Sequence, residues 1–340
     1  MLRMQGLSGR SGAATLQRAL AVIVAVALLA VWAAGCVGPS TQSGSAQKGS
    51  SANSAGAGVA GGKMRVLSGL CFSPFLDRSP SSPVPLTDAQ VSPLLDDIVP
   101  YTRGIRTFSS MGIGANIAAL AKAKGLTVAA GCDISSDPAR NEQEVNAVIA
   151  LARSGKVDIA VVGEEALYTS SVSEAQLIDY INRVRATGVR TTTSDTWGEL
   201  IGHPNVIAAC DLVLANMYPY WEDQGIYNSV RYLNGCYDKV KKVAGSLKDV
   251  EVETGWPSDG NPKGPADPSQ ANANWFLRNF TSWAQKRGVK YFYFEAFDEP
   301  WKAASLEGSV GSHWGLFDDQ AQLKPGVAQA LSAPPTPGAF

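Results

Sequence analysis

Charge is scarce in this chain and almost balanced. Of 340 residues, 17% are charged, with 29 Lys and Arg against 30 Asp and Glu. A net charge near zero sets up no field that would collect nucleic acid or an anionic surface, so no nucleic-acid partner is expected and a polymeric ligand should be neutral. Histidine is nearly missing: the 2 residues are His203 and His313, and no Cys-x-x-Cys pair accompanies them. The usual zinc ligand sets are therefore excluded. No Gly-x-Gly-x-x-Gly follows the first β-type run, which argues against a dinucleotide fold. Neither a metal nor a nucleotide nor a flavin is called for. What the chain does have is apolar residues, 45% by the wide count, together with 34 Gly and 19 Pro. The length fits either two domains of average size or one large α/β barrel, which takes about 250 residues.

The first 35 residues read as a targeting segment. Arg3, Arg10 and Arg18 precede an uncharged run of 16 residues, Ala19–Ala34, that ends in Ala33-Ala34-Gly35-Cys36. Basic n-region, apolar h-region and small-residue cleavage site occur in that order. The run is short for a bilayer span. A Cys after small residues resembles the bacterial lipobox, with Ala33 where that pattern has a branched aliphatic residue; Cys36 is the expected lipid acceptor. Residues 36–62 are dominated by Gly, Ser and Ala and cannot bury enough apolar surface to order themselves, so they read as a flexible tether. The expected organisation is a signal peptide at 1–35, a linker at 36–62, a catalytic domain at 63–330 and an irregular tail at 331–340. Export to the cell envelope is expected, with membrane contact only through the N-terminal lipid anchor or signal and a monomeric catalytic domain; ordinary secretion or an uncleaved anchor is the alternative. Cys71, Cys132 and Cys210 are expected as small buried residues in or beside strands; an oxidising compartment permits disulfides without dictating a pairing.

From residue 64 to 325, β-rich runs alternate with longer amphipathic stretches. Strands are predicted at Arg65–Phe72, Gly104–Phe108, Thr127–Ala130, Ile159–Val162, Arg190–Ser194, Leu212–Asn216, Val250–Glu253 and Lys290–Glu295. Helices are predicted at Asp88–Val99, Asn116–Lys124, Glu142–Arg153, Ser173–Thr187, Pro204–Ala209, Ser229–Ser246 and Ser269–Arg287. Ser173 with Gln176 has the form of a capping box. Eight βα units predict a single (β/α)8 TIM barrel rather than a doubly wound sheet.

In such a barrel the chemistry sits at the C-terminal ends of the strands. Glu164-Glu165 follow strand four, Asn216-Met-Tyr-Pro-Tyr-Trp221 strand six, Glu253-Thr-Gly-Trp-Pro-Ser258 strand seven and Glu295-Ala-Phe-Asp-Glu-Pro-Trp301 strand eight. Carboxylates and tryptophans thus converge on one rim. Glycoside hydrolysis needs two carboxyl groups flanking the scissile bond, and aromatic rings offer flat faces on which sugars stack. Trp197, Trp221, Trp256, Trp301 and Trp314 are subsite candidates, Trp221 and Trp301 foremost. Glu295 is a candidate sugar contact, Asp298 and Glu299 are expected to hold their loop, and Lys302 to be a solvated surface group. Asn279-Phe-Thr281 fits the glycosylation pattern and is read as chance.

These segments, with Gly69-Leu-Cys-Phe-Ser-Pro-Phe75, Ile105-Arg-Thr-Phe108, Val161-Val-Gly-Glu-Glu165, Thr193-Ser-Asp-Thr-Trp197 and Gly311-Ser-His-Trp-Gly-Leu-Phe317, resemble glycoside hydrolase family 17, the β-1,3-glucanase and glucanosyltransferase family of (β/α)8 barrels. The resemblance covers nearly all of 64–325. It implies a retaining mechanism with Glu253 as nucleophile and Glu165 as acid/base. It also implies Arg106 as the cation near the nucleophile and Tyr218 as the phenol hydrogen-bonded beside it. The family usually has Asn immediately before the acid/base Glu; here stands Glu164, which as a carboxylate can only accept hydrogen bonds. Its charge could raise the proton affinity of its neighbour or disturb the geometry, and Glu164 could itself act as the acid.

The leading reading is a retaining hydrolase acting on β-glucan, with β-1,3 linkage implied by the resemblance. A β-glucanosyltransferase would use the same residues. A surface glucan-binding protein with weakened catalysis is the alternative that Glu164 motivates.

Overall fold

The computed structural model describes residues 63–340. The targeting segment, Cys36 and the Gly/Ser/Ala stretch lie outside the described residues.

Eight parallel strands close into a barrel in chain order. They are β1 (Leu70–Cys71), β2 (Gly104–Arg106), β3 (Thr127–Cys132), β4 (Ile159–Glu164), β5 (Arg190–Thr196), β6 (Val213–Asn216), β7 (Val250–Thr254) and β8 (Tyr291–Tyr293). Leu70 pairs with Ile105 on one side and Tyr293 on the other, which seals the ring. The (β/α)8 barrel expected from the spacing is the fold observed.

The helices lie outside the strands: α1 (Asp88–Ile98), α2 (Ile113–Ala123), α3 (Pro138–Arg153), α4 (Glu174–Arg185), α5 (Trp197–Gly202), α6 (Pro204–Ala209), α7 (Ile226–Ala244), α8 (Gln270–Arg287) and α9 (Val327–Ser332). Local sequence explains their ends. Ser173 accepts from the Gln176 amide while the Gln176 side chain takes the Ser173 amide, so the predicted capping box closes on α4. Asp137 caps α3, whose first residue is Pro138. The sequence reading missed α5 and α9, each of six residues. A helix that short shows less than two turns of periodicity, so no stripe need announce it, although the equally short α6 falls where the pattern puts it.

Alternation along each strand divides the core in two. Cys71, Ala129, Val161, Leu214 and Phe292 form the plug inside the barrel. The larger core lies between strands and helices, with Val91, Leu95, Val145, Val148, Leu177, Ile181, Val230, Leu233, Phe276 and Phe280 among its members. The plug matters for function because it blocks the barrel floor. Polar residues that share the inward parity one step further along each strand have only the mouth to face. Cys71, Cys132, Cys210 and Cys236 are all buried and unpaired. Asn279 is fully buried on α8 and donates to the Trp275 carbonyl, so it is no glycan acceptor in the fold. α9 runs to Ser332, past the expected domain boundary. The irregular chain beyond it is docked: Asn279 Oδ1 accepts the Thr336 amide and Arg65 Nη1 donates to the Ala333 carbonyl. Among the described residues no helix is long and apolar enough to cross a membrane.

Candidate active site

A cleft of about 890 Å³ opens at the C-terminal mouth of the barrel. Of the residues singled out in the sequence, Glu164, Glu165, Asn216, Tyr218 and Glu253 line it from different strands and strand-end loops, and Arg106 lies beneath, paired with Glu164 and Glu253.

Arg106 ends β2 and points inward, 1% exposed. Register and parity put it level with Cys71 on β1 and Ala129 on β3, so it stands among the plug residues at the base of the cleft. Glu253 and Asn216 are paired across β6 and β7, each two residues beyond an inward residue of the layer below. The planar guanidinium of Arg106 then spans two acids: Nη1 lies 2.8 Å from Glu253 Oε2, and Nη2 pairs with Glu164 Oε2. Burial alone would weaken the hold of Arg106 on its proton; Glu164 and Glu253 more than reverse this and push its proton affinity up. It is a permanent cation. The other oxygen of Glu253 accepts from Tyr218 Oη at 2.9 Å. The Tyr218 phenol is itself pushed well above its ordinary range by burial and by the charge of Glu253, so it stays a donor.

Two consecutive glutamates should point to opposite faces of a strand. β4 breaks that rule. Its register with β5 shifts between Val161 and Glu164, Gly163 has φ +87° and Glu165 has φ +48°. Only glycine takes the first of these without strain, and the second costs a non-glycine residue about 1–3 kcal/mol. The bulge re-aims both carboxyls into the cleft. Hydrogen bonds from neighbouring β5 hold the distortion: the Glu165 amide donates to the Ser194 carbonyl at 2.8 Å, and Asp195 Oδ2 accepts the Leu167 amide at 2.9 Å.

Asn216 joins the two glutamates. Ser194 Oγ donates to Asn216 Oδ1 at 2.7 Å, which turns the amide nitrogen toward the acids. That nitrogen donates to Glu164 Oε1 at 2.8 Å and to Glu165 Oε1 at 3.0 Å. Burial pushes the Glu165 carboxyl well above the usual carboxylate range, and the charge of Glu164 adds to this. Burial also pushes Glu164 up to about 7, with Arg106 opposing and Glu253 reinforcing. Asp195 behind them is pushed up to about 8 by burial. One side of the cleft therefore holds a carboxyl, Glu165, whose hold on its proton is strengthened by burial and by the charge of Glu164. The other side holds a carboxylate between a cation and a phenol, which is the division of labour that acid and nucleophile require.

Trp197, Trp221, Trp301, Trp314, Tyr168, Phe72 and Phe108 line the walls. Trp301 is steadied by a bond from Nε1 to Glu299 Oε1, and Trp221 by packing against Trp314. Three expectations need correction. Trp256 is 1% exposed and packs against Tyr220 and Phe276, with Nε1 donating to the Asp267 carbonyl; it belongs to the core, not to a subsite. Glu295 does not reach the cleft, because Lys302 Nζ takes both its oxygens, at 2.9 and 2.8 Å. Lys302 in turn is no solvated surface group: it is buried, pairs with Glu299 at 2.6 Å and forms part of the cleft wall over the rings of Phe294 and Trp301. Asp298 holds its loop as expected, accepting from the Gly315 amide and Lys324. Asn216 stands in the strand-six motif with no role that the sequence assigns it; its position at the end of β6 is the signal that points to it. Among the described residues no group of three or more His, Cys, Asp or Glu is arranged to hold a metal ion.

Residues 69–315 match the model of the BtgE/BtgC glycoside hydrolase domain. The chain belongs to this family. As a BtgE/BtgC-type domain of glycoside hydrolase family 17, it is a glycosidase acting on O-glycosyl bonds. It is 29% identical to a glucan 1,3-beta-glucosidase of Saccharomyces cerevisiae over 250 residues, 66% of this chain and 80% of the relative. Its fold is similar to a family 17 β-1,3-glucanosyltransferase from Rhizomucor miehei, with 27% identity and a TM-score of 0.68 over 77% of this chain and 96% of the other. An active-site mutant of that transferase has been crystallised with laminaritriose.

Proposed function

We propose that this glycosidase cleaves β-1,3-glucan with retention of configuration, using Glu253 as nucleophile and Glu165 as acid/base. The observation that carries the reading is the split site: Glu253 between Arg106 and Tyr218, facing the same cleft as the proton-holding Glu165. In the first step Glu253 attacks the anomeric carbon while the C1–O bond breaks, and the leaving oxygen takes the proton of Glu165. In the second, Glu165 removes a proton from water or a sugar hydroxyl, whose oxygen attacks C1 and releases Glu253. Arg106, Glu164, Tyr218, Trp221 and Trp301 surround the sugar in this scheme. Whether water or a second sugar arrives first separates hydrolase from transferase, and both use the same residues. The relatives named above include a glucosidase and a glucanosyltransferase.

The test is product analysis by mass spectrometry on short β-1,3-gluco-oligosaccharides, beside Glu253→Gln and Glu164→Asn. Shorter products alone identify a hydrolase; longer products as well identify a transferase. An inactive wild type with an active Glu164→Asn would overturn the reading in favour of a glucan-binding protein on a catalytic scaffold. The sequence ahead of the barrel supports a further proposal, that the domain is exported and carried at the cell envelope on a tether from a lipidated Cys36. Metabolic labelling with a fatty acid, lost in Cys36→Ala, checks it.

A further inference from the structure

The bulge in β4 brings a third carboxyl into a site whose chemistry needs two. Glu164 is no bystander on the rim: its side chain is 24% exposed, and both oxygens are engaged, one by Arg106 and one by Asn216. Asn216 Nδ2 lies 2.8 Å from Glu164 Oε1 and 3.0 Å from Glu165 Oε1. The two oxygens are therefore within about 6 Å of each other, inside the range at which one negative charge opposes the formation of a second.

We propose that Glu164 is the positioning residue that holds the proton on Glu165, by keeping a carboxylate beside it that is anchored to Arg106. The inference rests on Glu165 as the acid/base. Every element around Glu164 bears on it: β2 presents Arg106, β5 Asp195, β6 Asn216 with Tyr218 just beyond it, and β7 Glu253. Arg106 is the single cation in this set, and it sits on Glu164 and Glu253 rather than on Glu165. As pH rises, the first of the coupled pair to ionise is the one touching the guanidinium. Its charge then opposes ionisation of the other. Removing the Glu164 charge acts twice in the same direction. It takes away the repelling anion, and it leaves Arg106 less neutralised, so its field favours an ionised Glu165.

The experiment compares the pH dependence of kcat/KM for wild type, Glu164→Gln and Glu164→Asp on a β-1,3-gluco-oligosaccharide, because that ratio reports the free enzyme's essential groups. The expected result is a basic limb moved to lower pH by about one unit in Glu164→Gln and restored toward wild type in Glu164→Asp. A residue that served only to shape the loop would lower activity at every pH and leave the limb in place. An unmoved limb overturns the proposal. An infrared titration supplies a second readout without turnover. The protonated-carboxyl band that disappears in Glu165→Gln should vanish at lower pH in Glu164→Gln than in wild type. An unchanged band position on the pH axis also overturns the proposal. If Glu164→Gln does not fold, Glu164→Asn serves in both measurements. The catalytic reading fails separately, by full activity in Glu165→Gln or Glu253→Gln, and in that event the infrared arm still decides where the proton sits.

Discussion

Two buried charge clusters lie at the mouth of this barrel, and each sets one cation between two carboxylates. Arg106 joins Glu164 and Glu253; Lys302 joins Glu295 and Glu299. The first cluster reaches the cleft through both its acids, Glu164 and Glu253, while the second reaches it through Lys302 and Glu299. Geometry makes the difference. A guanidinium is a planar fork that offers one nitrogen to each acid and leaves the remaining oxygens to other donors. Those oxygens meet Tyr218 and Asn216, groups placed to respond when a sugar enters. An ammonium is a compact point charge, and Lys302 uses it to occupy both oxygens of Glu295. The Arg cluster is arranged for a reaction; the Lys cluster fixes the loop after β8 and, through Glu299, the Trp301 ring.

That contrast breaks most visibly at Glu253, the proposed nucleophile. Glu253→Gln should lose on the order of 10⁴-fold or more in kcat while keeping its far-UV circular dichroism. Lys302→Met should do the reverse. It strands Glu295 and Glu299 in a buried site, at a cost of about 3–5 kcal/mol, read as a lower denaturant midpoint. Equal stability with activity lost as completely as in Glu253→Gln would show that the Lys cluster takes part in chemistry and erase the distinction. Tyr218→Phe sharpens it: one hydrogen bond to a charged acceptor is worth about 1.5–3 kcal/mol, so kcat/KM should fall about 10- to 100-fold. The melting temperature should scarcely move.

The smallest effect concerns stability and pH. Glu165 holds its proton more tightly in the folded chain than in the unfolded one, where a Glu titrates at about 4.3. The folded state therefore loses stability as pH rises above that unfolded value. Glu165→Gln removes the titration and should raise the melting temperature at pH 8 by about 2–4 °C, with little change at acid pH. Differential scanning calorimetry at both values checks it. A lower melting temperature at pH 8 would mean that the wild-type group is not proton-holding in the fold.

Much of the architecture was legible because it is periodic. Strand runs such as Ile159–Val162 and Val250–Glu253 are short, β-branched and regularly spaced, and all eight appeared where the pattern put them. The first strand is the largest shortfall, two paired residues within an eight-residue run, with Leu67 bridged to Thr102 just ahead of it. Pairing depends on a partner strand, and a run of β formers does not specify one. Glu165, Glu253 and Tyr218 were legible for a different reason: each ends a strand or follows one, and a barrel sends such residues to one rim; Arg106 was legible only through the family resemblance.

What the sequence determined by itself is the order of eight βα units, the rim on which chemistry would gather and the acids that would stand there, because these follow from local pattern and chain order. The tertiary structure alone decided which of those residues face the cleft. Trp256 and Trp301 look alike in sequence, each beside a proline in a strand-end loop, yet one is sealed against Phe276 and the other lines the cleft. Lys302 reads as a solvent-facing group until Glu295 and Glu299 fold around it. Asn216 acquires its role only when β4 and β6 converge, since its partners are 52 and 51 positions away in the chain. Burial and pairing are properties of the space between elements, and no stretch of sequence contains that space.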